Sequence, residues 1–178
     1  NPSELFLSHR AEPVSGTATA ATLEANRVLL IETQALVADA SYGTAQRVTA
    51  GVDPRRMHLL LAVLEKRGGF KLSSKDVFVN LAGGVRLDDP ALDLPLALAI
   101  VSSAYDLALP PGLVLAAEVS LTGELRPISR LEARATEAAK LGYTTFIACA
   151  TGQQYRTPRG IEVLGFGHLT DVCRHVFG

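Results

Sequence analysis

"RLDDPALDLPLALAIVSS", residues Arg86 to Ser103, sets a polar turn and a proline ahead of a run of small and apolar residues. Acidic residues in a first helical turn complement the positive end of the helix dipole, so Asp88 and Asp89 read as helix-start residues, and Asp93, ahead of Leu94-Pro95, as an internal cap. The helix that follows, to about Tyr105, is apolar on nearly every side, which predicts that it is buried. A nucleophilic serine at a helix start would occupy a turn of this shape, but the residue there is Ala91. Ser102 and Ser103 lie roughly two to three turns inside the helix, too deep to be exposed nucleophiles.

On the N-terminal side, "DVFVNLAGG" reads as a strand running into a tight turn at Gly83-Gly84. Before it, Asp53-Pro54 is a helix start with Asp as N-cap and Pro at the first helical position. Met57, Leu60, Leu61 and Leu64 follow at helical spacing, and Gly68-Gly69 ends the helix. "GTATAATLEA" and "RVLLIETQALVAD" read as an antiparallel pair turning at Asn26, and "AQRVTAGV" as a short strand. Residues 1–15 are polar and proline-punctuated, which predicts a linker or arm leading into a domain over 16–178. Asn1 in place of an initiator methionine points to a piece of a longer chain.

On the C-terminal side, "GLVLAAEVSLTGELRPI" reads as two short strands around a turn at Thr122-Gly123. Ser129-Arg130-Leu131-Glu132 matches a capping box, which predicts a helix starting at Ser129 and ending at Gly142. "TTFIACA" and "IEVLGF" are late strands, and Leu169, Val172, Cys173 and Val176 mark a terminal amphipathic helix. The expected fold class is α+β, with mixed or antiparallel sheets and packed helices, not a doubly wound parallel sheet.

A chain of 178 residues that is 48% hydrophobic can bury a core as one domain without staples. Its 17 basic and 18 acidic residues nearly cancel, so attraction to a polyanion has to come from local clustering. Such clustering exists between Arg47 and Lys75, where seven basic residues face only Asp53 and Glu65. Arg47, Arg55, Arg56, Lys66, Arg67 and Lys71 are therefore the candidate DNA contacts. Two cysteines are too few for a disulfide framework and suit a reducing cytoplasm. No apolar run is long enough for a membrane span, no phosphate-cradling G-x-x-x-x-G-K-[ST] loop occurs, and His168, Cys173 and His175 lack zinc-site spacing.

"RVTAGVDPRRMHLLLAVLEKRGGF", "DVFVNLAGGVRLDDPALDLPLALAIVSS" and "EVSLTGELRPISRLEARATEAAKLGY" together resemble the C-terminal Lon-protease-like domain of the RadA (Sms) family of bacterial DNA repair proteins. "NPSELFL" resembles the junction after the ATPase core in that family. The resemblance implies the Lon-protease-like fold, of the type of ribosomal protein S5 domain 2. It carries the nucleophile of the Lon serine–lysine dyad onto Ala91 and the base onto Arg134. Alanine has no nucleophilic atom and a guanidinium does not give up its proton, so the resemblance implies an inert domain. It further implies a scaffold for homo-hexameric rings that contacts single-stranded and branched DNA during branch migration, beside a recombinase. ATP, magnesium and zinc belong to the full-length protein, with no cofactor in this segment. Two alternatives remain: a serine peptidase with an unrecognised dyad, and an oligomerisation module that never touches nucleic acid.

Overall fold

The computed structural model of the chain describes residues 2–151 and 155–178. Nine strands and four α-helices lie within them: β1 (Thr17–Glu24), β2 (Arg27–Asp39), β3 (Arg47–Ala50), α1 (Pro54–Lys66), β4 (Lys75–Leu81), α2 (Asp93–Tyr105), β5 (Leu113–Ala116), β6 (Glu118–Val119), β7 (Leu125–Arg126), α3 (Leu131–Lys140), β8 (Thr145–Cys149), β9 (Glu162–Phe166) and α4 (Leu169–Phe177). Seven strands form one sheet in the order β3-β4-β2-β1-β5-β8-β9, and β6 and β7 form a separate hairpin. The centre is antiparallel, with β1 on β2 and β2 on β4. Both flanks are parallel, with β3 on β4 and the run β1-β5-β8-β9. The sheet is mixed, and its parallel flanks join strands that are distant in sequence.

Alternation along the strands divides the core into two layers. Ala20, Ile31, Val77, Val79, Leu81, Leu115 and Ile147 face one side, where α1, α2 and α4 pack. Ala21, Leu30, Val114, Ala116, Phe146 and Ala148 face the other, where Ala135 and Ala138 of α3 pack. Helix α2 runs through the first layer with residues 93 to 102 all buried, as its apolar sequence predicts. Helix α1 starts as read: the Asp53 carboxylate accepts from the Arg55 amide, and Met57, Leu60, Leu61 and Leu64 turn inward.

Polar side chains pin the buried helix to the sheet. Ser102 Oγ accepts from the Gly16 amide at 2.8 Å and donates to the Leu107 carbonyl, while Ser103 Oγ accepts from the Val37 amide at 2.9 Å. Gly16 has φ +84°, and a Cβ there would lie 2.4 Å from the Ala35 carbonyl oxygen. These two serines therefore have structural tasks. The N-terminal arm lies along β2, where the Glu32 amide donates to the Phe6 carbonyl and Arg10 pairs with Glu32 at 2.6 Å.

Two local expectations are corrected. The capping box does not form, because α3 begins at Leu131 with Arg130 as N-cap in a left-handed conformation and no side-chain cap. The Ser129 carbonyl is instead taken by Arg134 Nε at 2.8 Å, and Glu132 accepts from the Arg156 amide at 2.7 Å. Asp93 is not an internal cap either: its carboxylate turns away from the helix end to meet Arg56 and the Val119 amide. Helix α4 gains a cap that the sequence did not advertise. His168 Nδ1 accepts from the Thr170 amide at 3.1 Å while Nε2 lies 3.2 Å from the Thr122 carbonyl. Replacing His168 with alanine is expected to cost about 1 kcal/mol through the lost cap, read as a lower urea midpoint at unchanged m-value.

Candidate functional site: a buried ion pair beside Ala91

Ala91 lies in the 3-10 turn Pro90–Leu92 that opens α2, and Arg134 lies one turn into α3. Both are 1% exposed. Asp89 joins them. Its Oδ1 accepts from the Ala91 amide at 3.1 Å, and its Oδ2 accepts from Arg134 Nη1 at 2.6 Å. The Thr22 hydroxyl and the Leu23 amide also donate to Oδ2, both at 2.9 Å, which ties the turn to β1. Arg134 spends its remaining reach on the Ala21 and Ser129 carbonyls. Positions 43 residues apart in the chain, 91 and 134, thus meet through one carboxylate.

The electrostatics follow from that geometry. Burial would push the Asp89 carboxyl up, but Arg134 and the Leu23 and Ala91 amides outweigh it and hold it below the usual carboxylate range. Four residues on, the balance reverses. Burial pushes Asp93 up to about 6 even though the Val119 amide and Arg56 favour its charged form, and Glu118 adds to the rise. Neither carboxylate has a hydroxyl at Ala91 to activate, and a methyl group cannot attack a carbonyl. The cysteines are buried as well, and burial alone pushes the Cys173 thiol up to about 12.

The six candidate DNA contacts separate into two groups. Arg47 donates to the Lys75 carbonyl and to the Leu72 carbonyl at 2.9 Å, Arg55 pairs with its own cap residue Asp53 at 2.8 Å, and Arg56 pairs with Asp93. Arg67, Lys66 and Lys71 are exposed, and among the described residues only Arg67 of the three makes a side-chain hydrogen bond, a long one of 3.4 Å to the Leu121 carbonyl. Arg56, a candidate DNA contact from the sequence, is the bridge from α1 to α2. The sequence reading missed Asp89 as a hub, because a carboxylate beside Pro90 has a sufficient local explanation as a cap. Among the described residues, no three His, Cys, Asp or Glu side chains are grouped to hold a metal ion, and no helix is long and apolar enough to cross a membrane.

The family model described as subunit ChlI of Mg-chelatase matches residues 52–151, more than half of the chain and the part that contains Ala91, Asp89 and Arg134. The chain belongs to the ChlI family. Over its whole length this ChlI-family chain is also similar to proteins named DNA repair protein RadA. It is 42% identical to that of Bacillus subtilis (strain 168) and 43% identical to that of Halalkalibacterium halodurans, in each case over 100% of the chain and 39% of the relative. It is 42% identical to that of Streptococcus pneumoniae over 99% of the chain and 42% of the relative. The chain thus spans about two fifths of the length of these relatives.

Proposed function

We propose that this chain is a catalytically inert Lon-protease-like domain of a RadA-type DNA repair ATPase, one that holds subunits in a ring and touches the phosphate backbone of DNA. The observation that carries the inert reading is the Arg134–Asp89 pair beside Ala91. At the two positions where a dyad would need a hydroxyl and a base, the chain has a methyl group and a guanidinium committed to a carboxylate and two carbonyls. The kinship with proteins named for DNA repair supports the context. In this reading ATP, magnesium and zinc are bound by the remainder of the full-length protein, in the cytoplasm, where a recombinase is its partner. Lys66, Arg67 and Lys71, exposed members of the basic segment that make no ion pair among the described residues, contribute to DNA contact through phosphates and therefore without sequence preference.

Incubating the chain with a fluorophosphonate probe and with casein is expected to give neither labelled protein nor cleavage. Stoichiometric labelling of any serine would overturn the inert reading. A second reading, a ring scaffold that never meets DNA, draws on the partners within the chain that already hold Arg47 and Arg56. Light scattering alone does not separate the two, because both expect an oligomer whose heterologous contacts close. A DNA titration over a salt series does, since phosphate contacts weaken steeply as salt rises.

A further inference from the structure

One edge of β2 is open over residues 28–32. Strand β1 pairs along the opposite edge and β4 reaches only as far as the Leu81–Thr33 pair, so among the described residues no strand covers this stretch. The N-terminal arm fills it, much as an added strand fills a sheet edge. Ser3 Oγ accepts from the Leu30 amide at 3.1 Å, the Phe6 carbonyl accepts from the Glu32 amide at 2.8 Å, and the Ser8 hydroxyl and the Arg10 guanidinium donate to the Glu32 carboxylate. The seat is shaped for such a segment. Glu32 is 5% exposed, and besides the arm only Gln34, at 2.7 Å, donates to its carboxylate among the described residues. Gly83 has φ +85°, and a Cβ there would fall 2.3 Å from the Phe6 ring. Two backbone donors, a notch for an aromatic ring and a buried carboxylate thus select an extended segment with an aromatic residue and, four positions later, a cation.

The stretch that joins the seated segment to β1 is held far less. Residues 11–15 are all exposed, and the Val14 carbonyl accepts from the Thr17 hydroxyl at 3.3 Å. Instead of packing on the domain, this stretch borders a cavity of about 240 Å³ whose walls include Arg10, Glu12 and Val14 of the arm and Thr19, Pro111 and Tyr143 opposite. A hinge with open space beneath it straightens at little cost in lost contacts. Fully extended, five residues span at most about 17 Å, so a straightened hinge can hand residues 3–10 to the β2 edge of a neighbouring molecule within that reach.

We propose that the arm exchanges between copies of this chain, with residues 3–10 of one subunit seated on the open β2 edge of the next. The contacts made in the neighbour are the same ones given up at home, so the balance is set by the hinge and by the local concentration of acceptor edges. Subunits held side by side present those edges at an effective concentration on the order of millimolar. The proposal rests on the subunit-holding part of the function proposed above and names the segment that passes from one subunit to another.

The test is photocrosslinking from the Phe6 position. The chain with Phe6→p-benzoylphenylalanine, at natural isotope abundance, is mixed in urea with an isotopically heavy parent chain, refolded, sized by light scattering and irradiated, and the crosslinked peptides are read by mass spectrometry. Exchange is expected to give an oligomer in which light arm peptides are joined to the heavy segment around Gly83. A Gly-Ser-Gly-Ser insertion after Ala11 lengthens the hinge and favours seating at home, so it is expected to lower the mixed fraction at least about twofold. An oligomer in which every crosslink to the Gly83 segment stays within one isotope overturns the exchange and leaves the ring reading standing. A monomer at all concentrations overturns both. Absence of any crosslink to the Gly83 segment, in a protein whose thermal melt matches the parent, overturns the seat and the exchange with it.

Discussion

Replacing Arg134 with methionine is expected to lower the free energy of unfolding by about 3–5 kcal/mol, the range seen when one partner of a buried ion pair is removed. The methionine fills much of the volume, so the loss is electrostatic in origin. Asp89, 9% exposed, would keep its charge with the Thr22 hydroxyl and the Leu23 and Ala91 amides but without a cation. The Ala21 and Ser129 carbonyls would lose their donor as well. Asp89→Asn is expected to cost less, because Arg134 keeps both carbonyls and the asparagine oxygen can still accept. The double variant should cost less than the sum of the singles, since the second change removes a charge that the first left unpaired. Urea denaturation followed by circular dichroism measures all three. An Arg134→Met protein with the parent's midpoint and m-value would mean that the pair does not hold α3 to the α2 turn.

Arg134 also marks the limit of what the linear sequence carries. Features set within one or two turns were legible: the Asp53-Pro54 start of α1, its apolar stripe, the β1–β2 hairpin and the buried α2 all depend on neighbours a few residues away. Features set by distant partners were not. β5, β8 and β9 pair in parallel with strands that periodicity cannot name, because a period of two reports the face of a strand and not its neighbour. The capping box at Ser129 failed for a similar reason: a guanidinium buried by tertiary packing needed the Ser129 carbonyl, and the chain turned at Arg130 to supply it. The basic segment was legible as a count but not as a surface. Arg47 and Arg56 are held by groups 25 and 37 residues away, which no local tally of charge can reveal. Ala91 and Arg134 were singled out only through family likeness, and the carboxylate that joins them lay in plain view beside Pro90 with a cap's explanation already attached.

The second large effect concerns Asp93 and pH. In the folded chain its carboxyl is pushed from 3.8 up to about 6, with burial outweighing the Val119 amide and Arg56, and with Glu118 on β6 adding repulsion. The folded state therefore binds a proton that the unfolded chain has released between about pH 4 and 6, and stability falls as pH rises through that window. Below it both states are protonated and no penalty exists. Above it the penalty is complete, and at ~1.4 kcal/mol per tenfold it is at most about 3 kcal/mol. Asp89 contributes with the opposite sign and at lower pH, where its loss of charge as pH falls removes the pairing with Arg134. Asp93→Asn removes the titration while leaving an oxygen that can accept from the Val119 amide and from Arg56, which at about one third exposed reaches water with its charge. Relative to the parent, the variant is expected to gain stability steadily from pH 4 to pH 7, by up to about 3 kcal/mol in total, and then to run parallel. Urea midpoints of the two proteins at half-unit pH intervals give the difference directly. A difference that stays flat across the window would place the Asp93 carboxylate as a fully charged partner of Arg56 throughout, with α1 and α2 joined by an ordinary ion pair.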